Sequence, residues 1–188
     1  MQDSIQIRPA QQTDADIAAV LLYSAYAHMQ VNYPLQDEQV GGFIERLLDF
    51  FRQDGNRFSY QYIQVAERNT AVVGLVLSFG GRDEPRLNAA VGSWLEREAQ
   101  DDEWYVDALA VLKDWERQGI GTRLLQTAEQ LAHQRHYRKI SLRVAPDNKP
   151  ALDLYTHQHY VVIQQTILYQ HPYLRMVKTL ENELLSSD

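Results

Sequence analysis

The chain has 188 residues, 45% hydrophobic composition, no cysteine and a formal net charge of −7. That length buries a sizeable core and reads as one domain over 1–188, while the missing cysteines exclude disulfides, thiolate metal sites and thiol nucleophiles together, which fits a reducing cytoplasm. The acidic balance disfavours nonspecific attraction to nucleic acid or an anionic membrane, the N-terminus "MQDSIQIRPA" lacks the features of a signal peptide, and no apolar run approaches the ~18 residues of a membrane span.

In chain order, "IQIR" alternates as a first strand, closed by Pro9 before Thr13 or Asp14 caps a helix. Ile17, Val20, Leu21, Ser24 and Ala25 are read as that helix's buried face. A second helix follows the 3.6-residue period through Val40, Phe43, Ile44, Leu47, Leu48 and Phe51, and "FRQDGNRFS" ends it. Two strands come next, "YQYIQVAER" and "AVVGLVLSF"; the unbroken apolar run of the second predicts burial on both faces, and Asn69 and Thr70 form the turn of an antiparallel hairpin.

Residues 80–102 are polar and read as a long loop, with Trp94 and Leu95 packing down as a short helical turn. The stretch from Asp83 to Asp107 holds eight acids, namely Asp83, Glu84, Glu96, Glu98, Asp101, Asp102, Glu103 and Asp107, against Arg86 and Arg97. It is either a solvated loop or a mouth that attracts a cationic substrate. "EWYVDALAV" is then a strand with Glu103, Tyr105, Asp107, Leu109 and Val111 on one face. A helix to about His136 buries Leu124, Leu125, Ala128, Leu131 and Ala132; "KISLRV" is a strand, "DNKPALDLYTHQHY" a short helix begun by Asn148, and "YVVIQQTILY" and "YLRMVKTL" close the chain as paired strands.

The order β α α β β β α β α β β implies a mixed α/β fold with a largely antiparallel sheet of about seven strands and helices on both faces. Only the segment from strand 103–112 through helix 120–136 to strand 139–144 has the rhythm of a parallel pair. "ERQGIGTRLL" therefore lies between the carboxyl end of a strand and the amino end of a helix, where unpaired N–H groups and the helix dipole attract anions. A nucleotide P-loop is excluded because no lysine stands where it is required, and a dinucleotide fingerprint would need its third glycine where Leu124 stands.

"VDALAVLKDWERQGIGTRLL" followed by "SLRVAPDNKPALDLYTHQHYVV" resembles the GNAT superfamily of acyl-coenzyme A dependent N-acetyltransferases, over residues 103–163 and more weakly over most of the chain. The resemblance implies acetyl-CoA as cosubstrate, no metal, and a central parallel pair splayed around the pantetheine arm. Leu109, Ala110 and Val111 match the strand that bonds that arm. The turn Arg117, Gln118, Gly119, Ile120, Gly121, Thr122 and Arg123 matches the pyrophosphate cradle, with Glu116 where the family pattern has Arg or Gln. Asn148 bonds the coenzyme or caps its helix.

For the chemistry, Glu103 and then Asp107 are candidate bases, each with a structural ion pair as the alternative. Tyr155, in "ALDLY", matches the acid that protonates the leaving thiolate, or is an aromatic on a buried helix face. His157 and His159 read as solvated histidines. The acceptor is an amine, with a polyamine, a protein N-terminus or lysine and other small amines all open. Tyr26, His28, Tyr33, Phe58 and Tyr60 line an acceptor cleft or pack helices on the sheet. An acyl-CoA-binding module without turnover is the second reading, and a homodimer is compatible with either.

Overall fold

The computed structural model describes residues 4–28, 40–93 and 95–180. In chain order the elements are β1 (Gln6–Pro9), α1 (Ala15–His28), α2 (Val40–Arg52), β2 (Ile63–Arg68), β3 (Ala71–Gly80), α3 (Glu84–Ala89), β4 (Trp104–Val111), α4 (Ile120–Gln134), β5 (Lys139–Val144), α5 (Lys149–His157), β6 (Val161–Leu168) and β7 (His171–Thr179). The strands make one sheet in the order β1-β2-β3-β4-β5-β7-β6. Every pairing is antiparallel except β4 with β5.

Two hydrophobic cores lie on opposite faces of this sheet. One joins α1 and α2 to Val65, Leu75, Leu77, Tyr105 and Ala108, and the other joins α4 and Tyr155 of α5 to Val73, Val76, Val106, Ile140 and Leu142. From Val72 to Gly80 every residue of β3 is buried, as its unbroken apolar run predicts, because both faces are covered. The Asn69–Thr70 turn has φ of 49° and 66°, the pair of positive values that a two-residue hairpin needs.

Three expectations need correction. The buried residues of α1 are Ala15, Ala18, Ala19, Leu21, Leu22 and Tyr26, so Leu21 packs as expected, whereas Val20 is 44% exposed and Ser24 is exposed too. This helix is apolar nearly all round, so its small alanines, which let the backbone approach the sheet, give no contrast for periodicity to read. The polar segment 80–102 contains α3, begun by Glu84 with Pro85 in its first turn; Trp94 lies outside the described residues. Finally, β4 does not keep its alternate residues on one face. Tyr105, Ala108 and Ala110 join the α1/α2 core whereas Leu109 and Val111 pack with the α4 core, because the strand carries an extra residue between them.

Candidate active site

That extra residue is Asp107. Leu77 pairs with Ala108 and Ser78 with Val106, leaving Asp107 as a β-bulge that twists the strand and re-aims its side chains. At the same point β4 leaves β5: the parallel register runs Trp104↔Ile140, Tyr105↔Ser141, Val106↔Leu142 and then stops. Leu109, Ala110 and Val111 go on pairing with β3, so on the β5 side their backbone edge faces the fork without a strand partner.

The turn after β4 ends above this fork. Trp115 is held under the Arg68 guanidinium, 4.6 Å from its ring centroid. Arg117 and Gly119 take φ of 58° and 77°, and Gly119 is the cap residue of α4. Arg123 N–H donates to the Gly119 carbonyl at 3.1 Å as the first bond of the helix, and no side chain caps the end. The amides of residues 119–122 therefore have no partner within the helix, and the dipole adds partial positive charge there. A Cβ on Gly119 would meet nothing within 4 Å, so it is the positive φ that demands glycine; a Cβ on Gly121 would lie 3.4 Å from Leu154 of α5. Ile120 is buried as the anchor, while Glu116, Arg117, Gln118 and Arg123 are exposed and Thr122 is half-buried.

The Gly121–Leu154 approach brings α5 beside this cradle, and Tyr155 is the next residue along. Its ring lies 6.0 Å from that of Tyr160, and burial pushes its hydroxyl up to about 12. Asn148 caps α5 by accepting the Ala151 amide at 3.3 Å, with Pro150 in the first turn. His157 Nδ1 lies 2.6 Å from the Asp153 carbonyl, one turn back on its own helix. Among the described residues no group of three or more His, Cys, Asp or Glu side chains could hold a metal.

Both candidate bases are committed to cations. Asp107 accepts Arg57 Nε at 2.8 Å, Arg57 Nη2 at 2.6 Å and the Tyr26 hydroxyl at 2.8 Å. Glu103 accepts the Gln100 amide at 2.9 Å and pairs with Arg175. Glu103 and Asp107 thus occupy separate clusters, at the base of β4 and at the fork.

Arg57 is the residue that sequence reasoning missed. It is 1% exposed and also donates to Glu98 at 2.8 Å and Asn88 at 3.1 Å, with Glu84 at 3.6 Å. Burial alone would lower its proton affinity, but Asp107 and Glu98 hold it well above the ordinary arginine value. Burial raises the Glu84 carboxyl, opposed by Arg57 and by the amides of Ala99 and Glu98 that it accepts, each at 2.9 Å. Glu98 also accepts the hydroxyls of Tyr105 and Tyr169, the latter at 3.1 Å. The local sequence around Arg57, "DGNRFS", signals only a helix end.

The sequence model of the Acetyltransferase (GNAT) family matches residues 22–160. The chain belongs to the GNAT acetyltransferase family. Its structure aligns with the N-acetyltransferase from Staphylococcus aureus Mu50 at a TM-score of 0.79 and 26% identity, covering 92% of this chain and all of that one. A second acetyltransferase structure aligns at 0.77 and 24% identity over 94% and 100% of the two chains. A PaiA N-acetyltransferase from Thermoplasma acidophilum, solved with coenzyme A, aligns at 0.60 and 13% identity over 94% and 99%. No curated protein matches the sequence significantly.

As a GNAT fold the chain is a mixed sheet with one parallel pair, as the element order predicts. Of the aromatics set out as an acceptor cleft, Tyr26 and Phe58 are core residues in edge-to-face contact at 5.7 Å, and Tyr60 packs on Phe51 at 6.3 Å. Tyr33 and the His28 side chain lie outside the described residues.

Proposed function

We propose that the chain transfers the acetyl group of acetyl-CoA to a primary amine by direct attack within a ternary complex. The observation that carries this reading is the fork at Asp107, where a strand edge without a partner opens beside a helix end whose first amides are unpaired. Residues 117–123 hold the pyrophosphate through backbone N–H groups, with Arg117 and Arg123 supplying the charge that Glu116 does not. The backbone of Leu109, Ala110 and Val111 bonds the pantetheine arm as a further strand would. Asn148 orders the adjoining helix.

The amine nitrogen attacks the thioester carbonyl carbon, the C–S bond breaks, and the nitrogen gives up a proton. Tyr155 returns a proton to the departing thiolate; with its hydroxyl held near about 12 it stays protonated throughout the neutral range. Asp107 has three of its roughly four acceptor positions filled by Arg57 and Tyr26, which leaves little of the carboxylate for a substrate amine. It acts by fixing the bulge, Glu103 fixes the base of β4, and water takes the amine proton and returns one to the Tyr155 oxygen, which closes the cycle. Calorimetry with acetyl-CoA, followed by free-thiol release with a panel of amines, tests the reading. Tighter binding of NAD or ATP than of acetyl-CoA refutes it. Binding of acetyl-CoA without thiol release from any amine favours a non-catalytic acyl-CoA sensor, the second reading, which the engagement of both carboxylates and Glu116 keep in view.

A further inference from the structure

The two edges of the sheet are protected very differently. β1 is four residues long and carries Arg8, paired with Asp14 at 2.8 Å and Glu67 at 2.7 Å, and then Pro9; a fixed charge and a missing N–H both discourage strand addition. β6 forms the other edge and runs for eight residues as "VVIQQTIL", with no charge and no proline. Its Val161, Val162, Ile163 and Ile167 are 51–67% exposed, and they are four of the five exposed large apolar side chains among the described residues.

The register on β7 assigns these side chains to faces. Val162, Gln165 and Ile167 pair with Met176, Leu174 and Pro172; Met176 and Leu174 belong to the α4 core, so all three lie on that side. Val161, Gln164, Thr166 and Leu168 pair with Val177, Arg175, Tyr173 and His171 and lie on the opposite side. Ile163 has no partner, because the register slips between Val162 and Gln164. That bulge makes the strand symmetric about Gln165. Counting outward, Gln164 matches Thr166, Val162 matches Ile167 and Val161 matches Leu168, and the members of each pair share both a face and a polarity.

We propose that β6 is the surface on which the chain pairs with a second copy of itself, antiparallel and centred on Gln165, joining two seven-stranded sheets into one. A two-fold axis through Gln165, perpendicular to the sheet, sets Val162 of one copy against Ile167 of the other on the α4 side and Val161 against Leu168 on the opposite side. No like charges meet, since the strand has none. Eight residues make a strip about 27 Å long. That puts the interface at the low end of the stable range, about 1,000–1,200 Å² in total, with a dissociation constant on the order of 10 µM. The guarded β1 edge offers no second site for growth, so assembly stops at the dimer. None of this depends on the acetyltransferase reading.

Sedimentation of the full chain from about 1 to 200 µM is expected to show a reversible monomer–dimer equilibrium without larger species. Ile167→Lys places a charge at an exposed position opposite Val162 of the other copy, and should weaken dimerisation at least tenfold while the melting temperature of the monomer stays near wild type. The chain has no cysteine, so Gln165→Cys introduces a single thiol that the axis brings against its own counterpart, and mild oxidation at about 100 µM should cross-link it. Gln164→Cys lies diagonal to its counterpart, about 7–8 Å away and beyond the usual disulfide span, and should cross-link at least tenfold more slowly. A wild type that stays monomeric at about 200 µM overturns the proposal. So does a dimer that Ile167→Lys leaves unchanged, or Gln164→Cys cross-linking as fast as Gln165→Cys. Should Ile167→Lys fail to melt cooperatively, the two cysteine variants decide between the outcomes on their own.

Discussion

The proposed cofactor end and the proposed acceptor side of this molecule are built on different principles. At the proposed cofactor end the groups on offer are backbone amides, and the residues that expose them, Gly119 to Arg123, are contiguous in the chain. On the proposed acceptor side they are side chains recruited from afar: Arg57 meets Asp107 across 50 residues, Tyr26 meets Asp107 across 81, and Tyr169 meets Glu98 across 71. Backbone recognition tolerates surface change and demands local geometry. A buried charge network tolerates relaxed local geometry but demands every partner at once.

The sharpest way to break that contrast is at Arg57. Its removal leaves Glu84, Glu98 and Asp107 buried around an absent cation, and Arg57→Met should cost about 3–5 kcal/mol in urea denaturation at neutral pH. Arg117→Ala at the exposed cofactor turn should change stability by no more than about 0.5 kcal/mol and act on coenzyme affinity instead. An Arg57 variant as stable as wild type would show that the network is not what fixes the 95–99 segment and the bulge.

Next in size is Tyr155. Its hydroxyl has no hydrogen-bond partner among the described residues, so Tyr155→Phe should leave the melting temperature near wild type. Turnover should fall between about 10- and 100-fold, the lower part of the range for a proton-transferring group. The sign of its pH dependence follows from burial. With its proton affinity raised to about 12, the acid form persists below that pH, and any stability linked to it is fully present below the unfolded value near 10 and lost as pH rises through 12. The turnover profile should therefore show no alkaline decline from Tyr155 between pH 7 and about 10. A decline in that range that disappears in Tyr155→Phe would place the hydroxyl in a wetter, less perturbed setting.

Gly121→Val should weaken acetyl-CoA about tenfold, roughly 1.4 kcal/mol. The new Cβ meets Leu154 at 3.4 Å, an ordinary contact, so the fold should survive and the effect should appear in calorimetry. If affinity is unchanged, the close approach of pyrophosphate to this turn is not what glycine provides at 121.

The same contrast decides what could be read beforehand. The β4–α4 turn, the Asn148 cap and the Asn69–Thr70 hairpin were legible because each is written in neighbouring residues, whereas Thr13 and Asp14, expected to cap the first helix, lie inside a 3-10 turn that starts from Gln11. The β6–β7 hairpin has the same pair of positive φ values, but Tyr169–Gln170 carries no turn signal in its residues, and its contacts with Glu96 and Glu98 come from far along the chain. The alternation of β4 looks regular, so nothing in it betrays the bulge at Asp107. In α1, apolar residues on every side hide the face that packs. Arg57 was invisible because a buried arginine is recognised only by the carboxylates that surround it.

Salt dependence carries the smallest expected effect and bears on the acidic stretch as a whole. Eight acids between Asp83 and Asp107 look like a steering field for a cationic amine. Folding disposes of most of that charge. Glu84, Glu98, Glu103 and Asp107 are buried, the first three no more than 4% exposed and Asp107 6%, and they face Arg57 or Arg175. At the surface Asp83 lies 3.6 Å from Arg86, Asp102 lies 2.8 Å from Lys139, and Asp101 pairs with Arg97. Glu96 spends one oxygen on the Tyr169 amide. Eight acids thus face five cations, and the excess sits in the buried Arg57 cluster and at Glu96 rather than spread over the surface. Raising ionic strength to about 1 M shortens the screening length to about 3 Å, yet kcat/KM for a cationic amine should fall less than about threefold beyond any change in coenzyme binding. A tenfold fall, abolished in Glu96→Gln, would show that the Glu96 carboxylate is the steering charge and that the acidic stretch acts through that one residue.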